Sequence, residues 1–176
     1  MIEEYRISAD AIPHYELEIL KSGICSALVP GSYYSENDIV VIIPDSSNYS
    51  SFSEKIGRSG GEILDSFRLT MKMLRCTIEA CIICQDYLIR PEDISLSVDD
   101  LFFSDQLNAG LLLKPDSGGE KLLERIILLI AEIASRYPQS NAEVIMEKIE
   151  EFKSKEGLNE NKLLRLLSLW ELELER

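Results

Sequence analysis

Apolar and polar positions alternate in the first third of the chain and recur at three and four residues afterwards. Tyr15-Glu-Leu-Glu-Ile-Leu20 alternates with period two, the pattern of a half-buried strand. Ile24 to Val29 is a second candidate strand, ended by Pro30-Gly31. Asp38-Ile-Val-Val-Ile-Ile43 is a third, β-branched and continuous, which predicts burial on both faces. Residues 45–60 are rich in Ser and Gly and form a candidate hinge, with a short helical turn near Phe52 to Ile56. A long helix is then predicted from Gly61 to about Gln85. Ser59-Gly-Gly-Glu62 supplies a capping box, and Ile63, Phe67, Met71, Leu74, Ile78, Cys81 and Ile82 supply its apolar stripe. Short β pieces return over residues 87–113: Ile94 to Val98, Leu101-Phe102-Phe103 and Leu111-Leu112-Leu113. The last third reads as three helices, about 119–136, 141–155 and 160–174. Ser117-Gly-Gly-Glu120 and Ser140-Asn-Ala-Glu143 are capping boxes for the first two, Gly157 ends the second, and Asn159 caps the third.

The order of elements gives an α+β fold in one domain spanning residues 1–176. Residues 1–58 make a small β-rich lobe, and 59–176 a helical lobe with short strands. With 45% hydrophobic residues in 176, the chain can bury a core. Its formal charge of −13 sets it against phosphate backbones and anionic lipid, so nucleic acid and membrane surfaces are poor partners. No apolar run approaches the roughly 20 residues of a spanning helix, and Met1-Ile-Glu-Glu4 is too acidic for a signal peptide. A cytoplasmic setting without membrane insertion is expected.

Candidate chemistry is sparse. Cys81-Ile-Ile-Cys84 has the spacing of a redox or zinc half-site, but it falls inside the predicted long helix. No second pair accompanies it, and buried reduced thiols are expected at Cys25, Cys76, Cys81 and Cys84. Gly57-Arg-Ser-Gly-Gly61 and Gly118-Gly-Glu-Lys121 precede helices but lack the Gly-Lys-Ser/Thr ending of a phosphate-binding loop. The acids from Asp86 to Asp105 lack the alternation of a calcium loop and read as a solvated edge. His14, the single histidine, has no assignable partner and belongs to a strand start. No cofactor, metal site or catalytic residue is expected. The leucine-rich end is the strongest interaction signal. Leu163, Leu166, Leu167, Trp170 and Leu174 cover more than one helical stripe, which makes them either core or a protein-partner surface.

One string carries a resemblance. Tyr87-Leu-Ile-Arg-Pro-Glu-Asp-Ile-Ser-Leu96, following a long helix, resembles the protein-kinase catalytic loop His-Arg-Asp-Leu-Lys-Pro-Glu-Asn-Ile-Leu. Pro91, Glu92 and Ile94 match it, Arg90 stands for the lysine, and Asp93 for the metal-binding asparagine. Leu88 occupies the position of the catalytic aspartate, and no glycine precedes Gly23 to form a phosphate lid. Over nearly its whole length the chain is similar to an uncharacterised Firmicutes domain found ahead of forkhead-associated domains. It is also similar, more remotely, to the truncated kinase shape in a membrane component of type VII secretion. The resemblance implies a reduced kinase-like fold with a β-rich N-terminal lobe and a helical C-terminal lobe. It further implies a non-enzymatic pseudokinase that scaffolds protein partners in bacterial signalling or secretion. An acidic secretion chaperone holding a client protein is a second reading. A residual nucleotide or metal site using Lys21, Arg90, Asp93 and Asp105 is a third. The oligomeric state is left open.

Overall fold

The computed structural model describes residues 3–58, 63–115 and 121–174. The elements run β1 (Tyr5–Ser8), α1 (His14–Ser22), β2 (Gly31–Glu36), β3 (Ile39–Pro44), β4 (Ser50–Ser51), α2 (Phe52–Gly57) and α3 (Ile63–Asp86). They continue with β5 (Phe102–Phe103), β6 (Ala109–Gly110), α4 (Leu122–Arg136), α5 (Ala142–Glu156) and α6 (Glu160–Leu174). The strands form an antiparallel sheet of order β1-β3-β2 and a small one of order β4-β5-β6. Mixed α+β architecture is therefore as expected, but several elements are not where the pattern put them.

The segment Tyr15 to Leu20 is helix, not strand. Pro13 stands at its start, and Gly23 closes it with φ 65° and an N–H donated to the Leu20 carbonyl. Leu17 and Leu20 bury one turn apart, and Glu16 between the apolar positions is buried too. Of the two polar positions in the alternation, only Glu18 faces solvent. Ile24 to Val29 is a turn with a single bridge from Leu28 to Leu111, and the strand begins where Pro30-Gly31 was expected to end one. Glu36 pairs with Ile39 across Asn37-Asp38, with Asn37 at φ 56°, a tight hairpin turn. In β3, Val40, Val41 and Ile42 are buried, whereas Ile39 and Ile43 are exposed, so burial on both faces holds only for the centre.

α3 is the strut of the molecule. Its 24 residues span about 36 Å. Met71, Met73, Leu74, Ile78, Cys81 and Cys84 enter one core with residues of every other helix. Thr70 and Thr77 donate their hydroxyls to the carbonyls one turn back, at Ser66 and Met73, which removes the cost of burying them. The stretch Ile94 to Val98 is not a strand: it lies between two 3₁₀ turns, Pro91–Asp93 and Val98–Asp100. α4 buries Leu122, Ile126, Leu129, Ile130 and Ile133 along one stripe. The Ser140 capping box does not form. Ser140 closes a 3₁₀ turn and its hydroxyl accepts the Ala142 N–H, while Asn141 sits at φ 52°. Asn159 does cap α6, accepting the Lys162 N–H at 2.9 Å. The capping boxes at Ser59–Glu62 and Ser117–Glu120, and the glycines of both candidate phosphate loops apart from Gly57, lie outside the described residues. Among the described residues no helix is long and apolar enough to cross a membrane.

Candidate functional site

The loop that leaves α3 carries the kinase-like string, and four independent contacts hold it. Leu88 has φ 61° and its side chain is 75% exposed, at the position where the resemblance places a proton acceptor. A leucine in the left-handed region is strained, and strain of this kind collects at functional loops. The Leu88 carbonyl accepts the Tyr15 hydroxyl at 2.8 Å, and the Arg90 N–H is donated to Glu16 Oε1 at 3.2 Å. Both partners come from α1. Arg90 Nε reaches Asp93 Oδ2 at 2.6 Å and lies 3.8 Å from Glu16 Oε1. From the opposite side, the buried Arg125 of α4 donates to the Pro91 carbonyl and, at 2.6 Å, to the Ile94 carbonyl.

Electrostatics follow from this packing. Glu16 and Asp93 are both buried, and one half-exposed guanidinium serves them. Burial pushes the Glu16 carboxyl up from 4.5 to about 7; the Arg90 N–H draws it back, and the Asp93 charge adds to the rise. Arg90 is raised, first by its bond to Asp93. The acid-rich window divides: Asp86, Glu92, Asp99 and Asp105 are exposed as expected, whereas Asp93 is buried and Asp100 half-buried. Asp99 takes two bonds from Arg136 at 2.7 and 2.8 Å. Asp100 accepts from Ser95 Oγ at 2.6 Å and from Lys114 Nζ at 2.8 Å. These acids pin the loop to the helices and to the chain that follows.

The four candidate nucleotide or metal positions have separate partners. Lys21 lies over the Tyr33 ring, 5.8 Å from its centroid, on the last turn of α1. Asp105 is exposed and pairs with Lys55 at 3.4 Å, beside an open polar hollow lined by Ser47, Tyr49 and Gln106. Arg90 and Asp93 are taken up by each other and by Glu16. Among the described residues, no group of three or more His, Cys, Asp or Glu could hold a metal ion.

The thiols are buried rather than presented. Cys25, Cys81 and Cys84 are buried, Cys76 is half-buried, and all four are free. The Cys84 thiol donates toward Cys25, which draws Cys25 down to about 7 and pushes Cys84 up. His14 stands at the start of a helix and meets the Tyr33 ring edge-on, with centroids 6.4 Å apart.

The leucine-rich end divides. Leu163 and Leu167 are fully buried in the shared core, so they do not belong to a free surface. Arg75 fixes α6 to α3 through Glu171 at 3.1 Å, and Arg68 bonds the Leu174 carbonyl. Trp170 and Leu174 are half-buried against the core, and Leu166 and Trp170 border a shallow groove with Phe152 of α5. The Lys148 ammonium lies 4.8 Å from the Trp170 ring centroid. Leu169 and Leu172 are the exposed leucines of this helix.

Sequence reasoning passed over Tyr15, Glu16 and Arg125. A glutamate at an apolar helical phase and an arginine within the α4 stripe were the available signals.

No protein-family model matches the chain, and no curated protein matches it. Among solved structures, the cytoplasmic fragment of EssB from Staphylococcus aureus is similar along its whole length. The TM-score is 0.54 at 14% sequence identity, over 99% of this chain and 98% of that one. The similarity is one of fold.

Proposed function

We propose that this domain is a non-catalytic, kinase-like scaffold that binds a protein partner in bacterial secretion or signalling. It acts in the cytoplasm, as a relative of the domain found ahead of forkhead-associated domains. The sequence-level resemblance to the kinase-shaped part of a type VII secretion component and the fold shared with the EssB fragment support the same setting. In this reading residues 1–58 are a reduced N-terminal lobe and 59–176 the helical lobe.

One observation carries the proposal. The position that would have to accept a hydroxyl proton holds Leu88, a strained and exposed apolar side chain. Phosphoryl transfer needs a nucleophile-positioning acid and neutralisation of phosphate charge. A protruding hydrocarbon on a fixed loop can do neither, but it can insert into a partner's pocket. The partner surface therefore centres on Leu88, with half-buried Leu166 and Trp170 and exposed Leu169 of α6 as a second patch.

Two measurements test this. A photo-crosslinking residue at position 88 in the native host gives a discrete adduct, and the same residue at exposed Leu128 of α4 does not. Equal labelling at the two positions, or none at 88, refutes the reading. ATP with Mg²⁺ leaves the melting temperature unchanged. A rise of several degrees that disappears in Asp105→Ala would establish a nucleotide site instead.

A further inference from the structure

Two buried carboxyls face one arginine, and the arrangement is a charge short. Glu16 and Asp93 are 0% and 2% exposed, and the Arg90 Nε lies 2.6 Å from Asp93 and 3.8 Å from Glu16. If both carboxyls are ionised, the guanidinium leaves one negative charge uncompensated in the protein interior. A buried unpaired charge is among the most expensive features a fold can carry. The donors do not make up the deficit. The Tyr15 hydroxyl has a single proton, and it lies closer to the Leu88 carbonyl, 2.8 Å, than to Glu16 Oε1, 3.1 Å. Glu16 Oε1 keeps the Arg90 N–H, and Glu16 Oε2 finds no donor at all. A proton on Oε2 resolves both problems. It removes the excess charge and turns an orphaned acceptor into a donor within the cluster that holds Asp93.

We propose that Glu16 is the proton-binding element of a pH-sensitive latch that holds α1 to the loop presenting Leu88. With the proton in place, Glu16 donates to Asp93, Asp93 keeps Arg90, and the Arg90 N–H and Tyr15 hydroxyl tie the loop to the helix. When the proton leaves for solvent, two buried carboxylates repel across one guanidinium. The cheapest relief is to separate α1 from the loop and admit water. The groups facing Glu16 are Arg90 and Asp93 from the loop, Tyr15 from its own helix, and Cys84 from α3, whose thiol also feels the Glu16 charge. His14 is turned elsewhere, toward Tyr33 and Glu18. The direction is fixed by linkage. Glu16 rises from 4.5 in the open chain to about 7 when buried. The closed state therefore binds the extra proton, and closure weakens as pH rises through that interval.

The test is hydrogen exchange of the full chain at several pH values, corrected for intrinsic exchange. Protection of amides in residues 87–94 falls about ten-fold from pH 6 to pH 8. Glu16→Gln, which keeps a neutral side chain with a donor, flattens this to less than two-fold, and His14→Asn keeps the full slope. A flat profile in the wild type, or a slope that survives Glu16→Gln, overturns the proposal. Should Glu16→Gln fail to fold, carbon NMR of the wild-type Glu16 carboxyl decides. A midpoint near 7 supports the latch, and one between 4 and 5 ends it.

Discussion

Leu88 permits a test in which two opposite accounts predict opposite rank orders. Its φ of 61° and its 75% exposure describe a side chain whose backbone is strained and whose surface is mostly in water. Placing a β-carbon in the left-handed region costs about 1–2 kcal/mol. Leu88→Gly removes that cost. Against it stand the greater freedom of glycine in the unfolded chain, about 0.5–1 kcal/mol, and the loss of a quarter-covered leucine, roughly 0.5 kcal/mol. The Leu88 carbonyl keeps its bond from Tyr15, because the backbone stays in place. The balance runs from a loss of about 0.5 kcal/mol to a gain of about 1 kcal/mol, the gain being up to about 4 °C in melting temperature for a chain of this size. Leu88→Ile should do the reverse. It preserves volume and hydrophobicity but adds β-branching where the left-handed conformation tolerates it least, and costs about 1 kcal/mol or more.

A packed leucine would give the contrary order. There the isoleucine exchange costs less than about 1.5 kcal/mol, and truncation to alanine or beyond costs roughly 2–5 kcal/mol or more through the cavity it leaves. Urea unfolding of the three proteins under identical conditions separates the cases without any knowledge of the partner. If glycine destabilises by more than 2 kcal/mol and isoleucine is near neutral, Leu88 is a core residue. The surface reading of the loop then fails.

Four further outcomes are expected. Leu88→Asp folds, since aspartate tolerates positive φ, yet transfers no phosphate from ATP; measurable labelling of any substrate would contradict the inactive reading. Leu167→Ala, a truncation in the fully buried face of α6, lowers stability by about 2–5 kcal/mol in urea, and a loss below 1 kcal/mol would mean that α6 is loosely held. Arg125→Met leaves the Pro91 and Ile94 carbonyls without their buried donor. It should cost about 2–4 kcal/mol, with the increase in amide exchange centred on residues 91–94. Thiol titration of the native protein labels Cys76 first, and Cys25, Cys81 and Cys84 only on unfolding; fast labelling of Cys84 would reopen the question of redox chemistry at Cys81-Ile-Ile-Cys84.

Long-range regularity was legible in the sequence, and short-range alternation was not. The helix Ile63–Asp86 and the three terminal helices emerged from apolar recurrence over three or more turns, which few other structures reproduce. Tyr15 to Leu20 misled because six residues of alternation also fit a helix with one buried polar position, here Glu16. Pro13 and Gly23 were the better evidence, marking a helix start and stop that enclose nine residues. The string at 87–96 singled out the loop that leaves α3, but the residues that hold this loop lay distant in sequence. Glu16 is 74 residues from Arg90, and Arg125 is 31 residues beyond Ile94. Nothing in local composition pairs them.

On the proposed reading, that long-range pairing also explains why a string resembling the kinase loop would lack its reaction. Pro91 opens a 3₁₀ turn, Asp93 holds Arg90 inside it, and the carbonyls of Pro91 and Ile94 are clamped by Arg125. Each of these residues has a structural occupation that uses up the group a metal or phosphate would require. What they build is a stiff platform with a hydrocarbon tip. Stiffness matters to binding because an ordered loop loses little conformational entropy on association, whereas a flexible one gives up about 0.5–1.5 kcal/mol for each side chain it must order. The strain at Leu88 is tolerable only while its neighbours hold the loop closed, so the carboxyl pair beneath it governs how well the tip is presented. On this view, loosening the Glu16–Arg90–Asp93 cluster weakens partner binding even though none of those side chains need touch the partner.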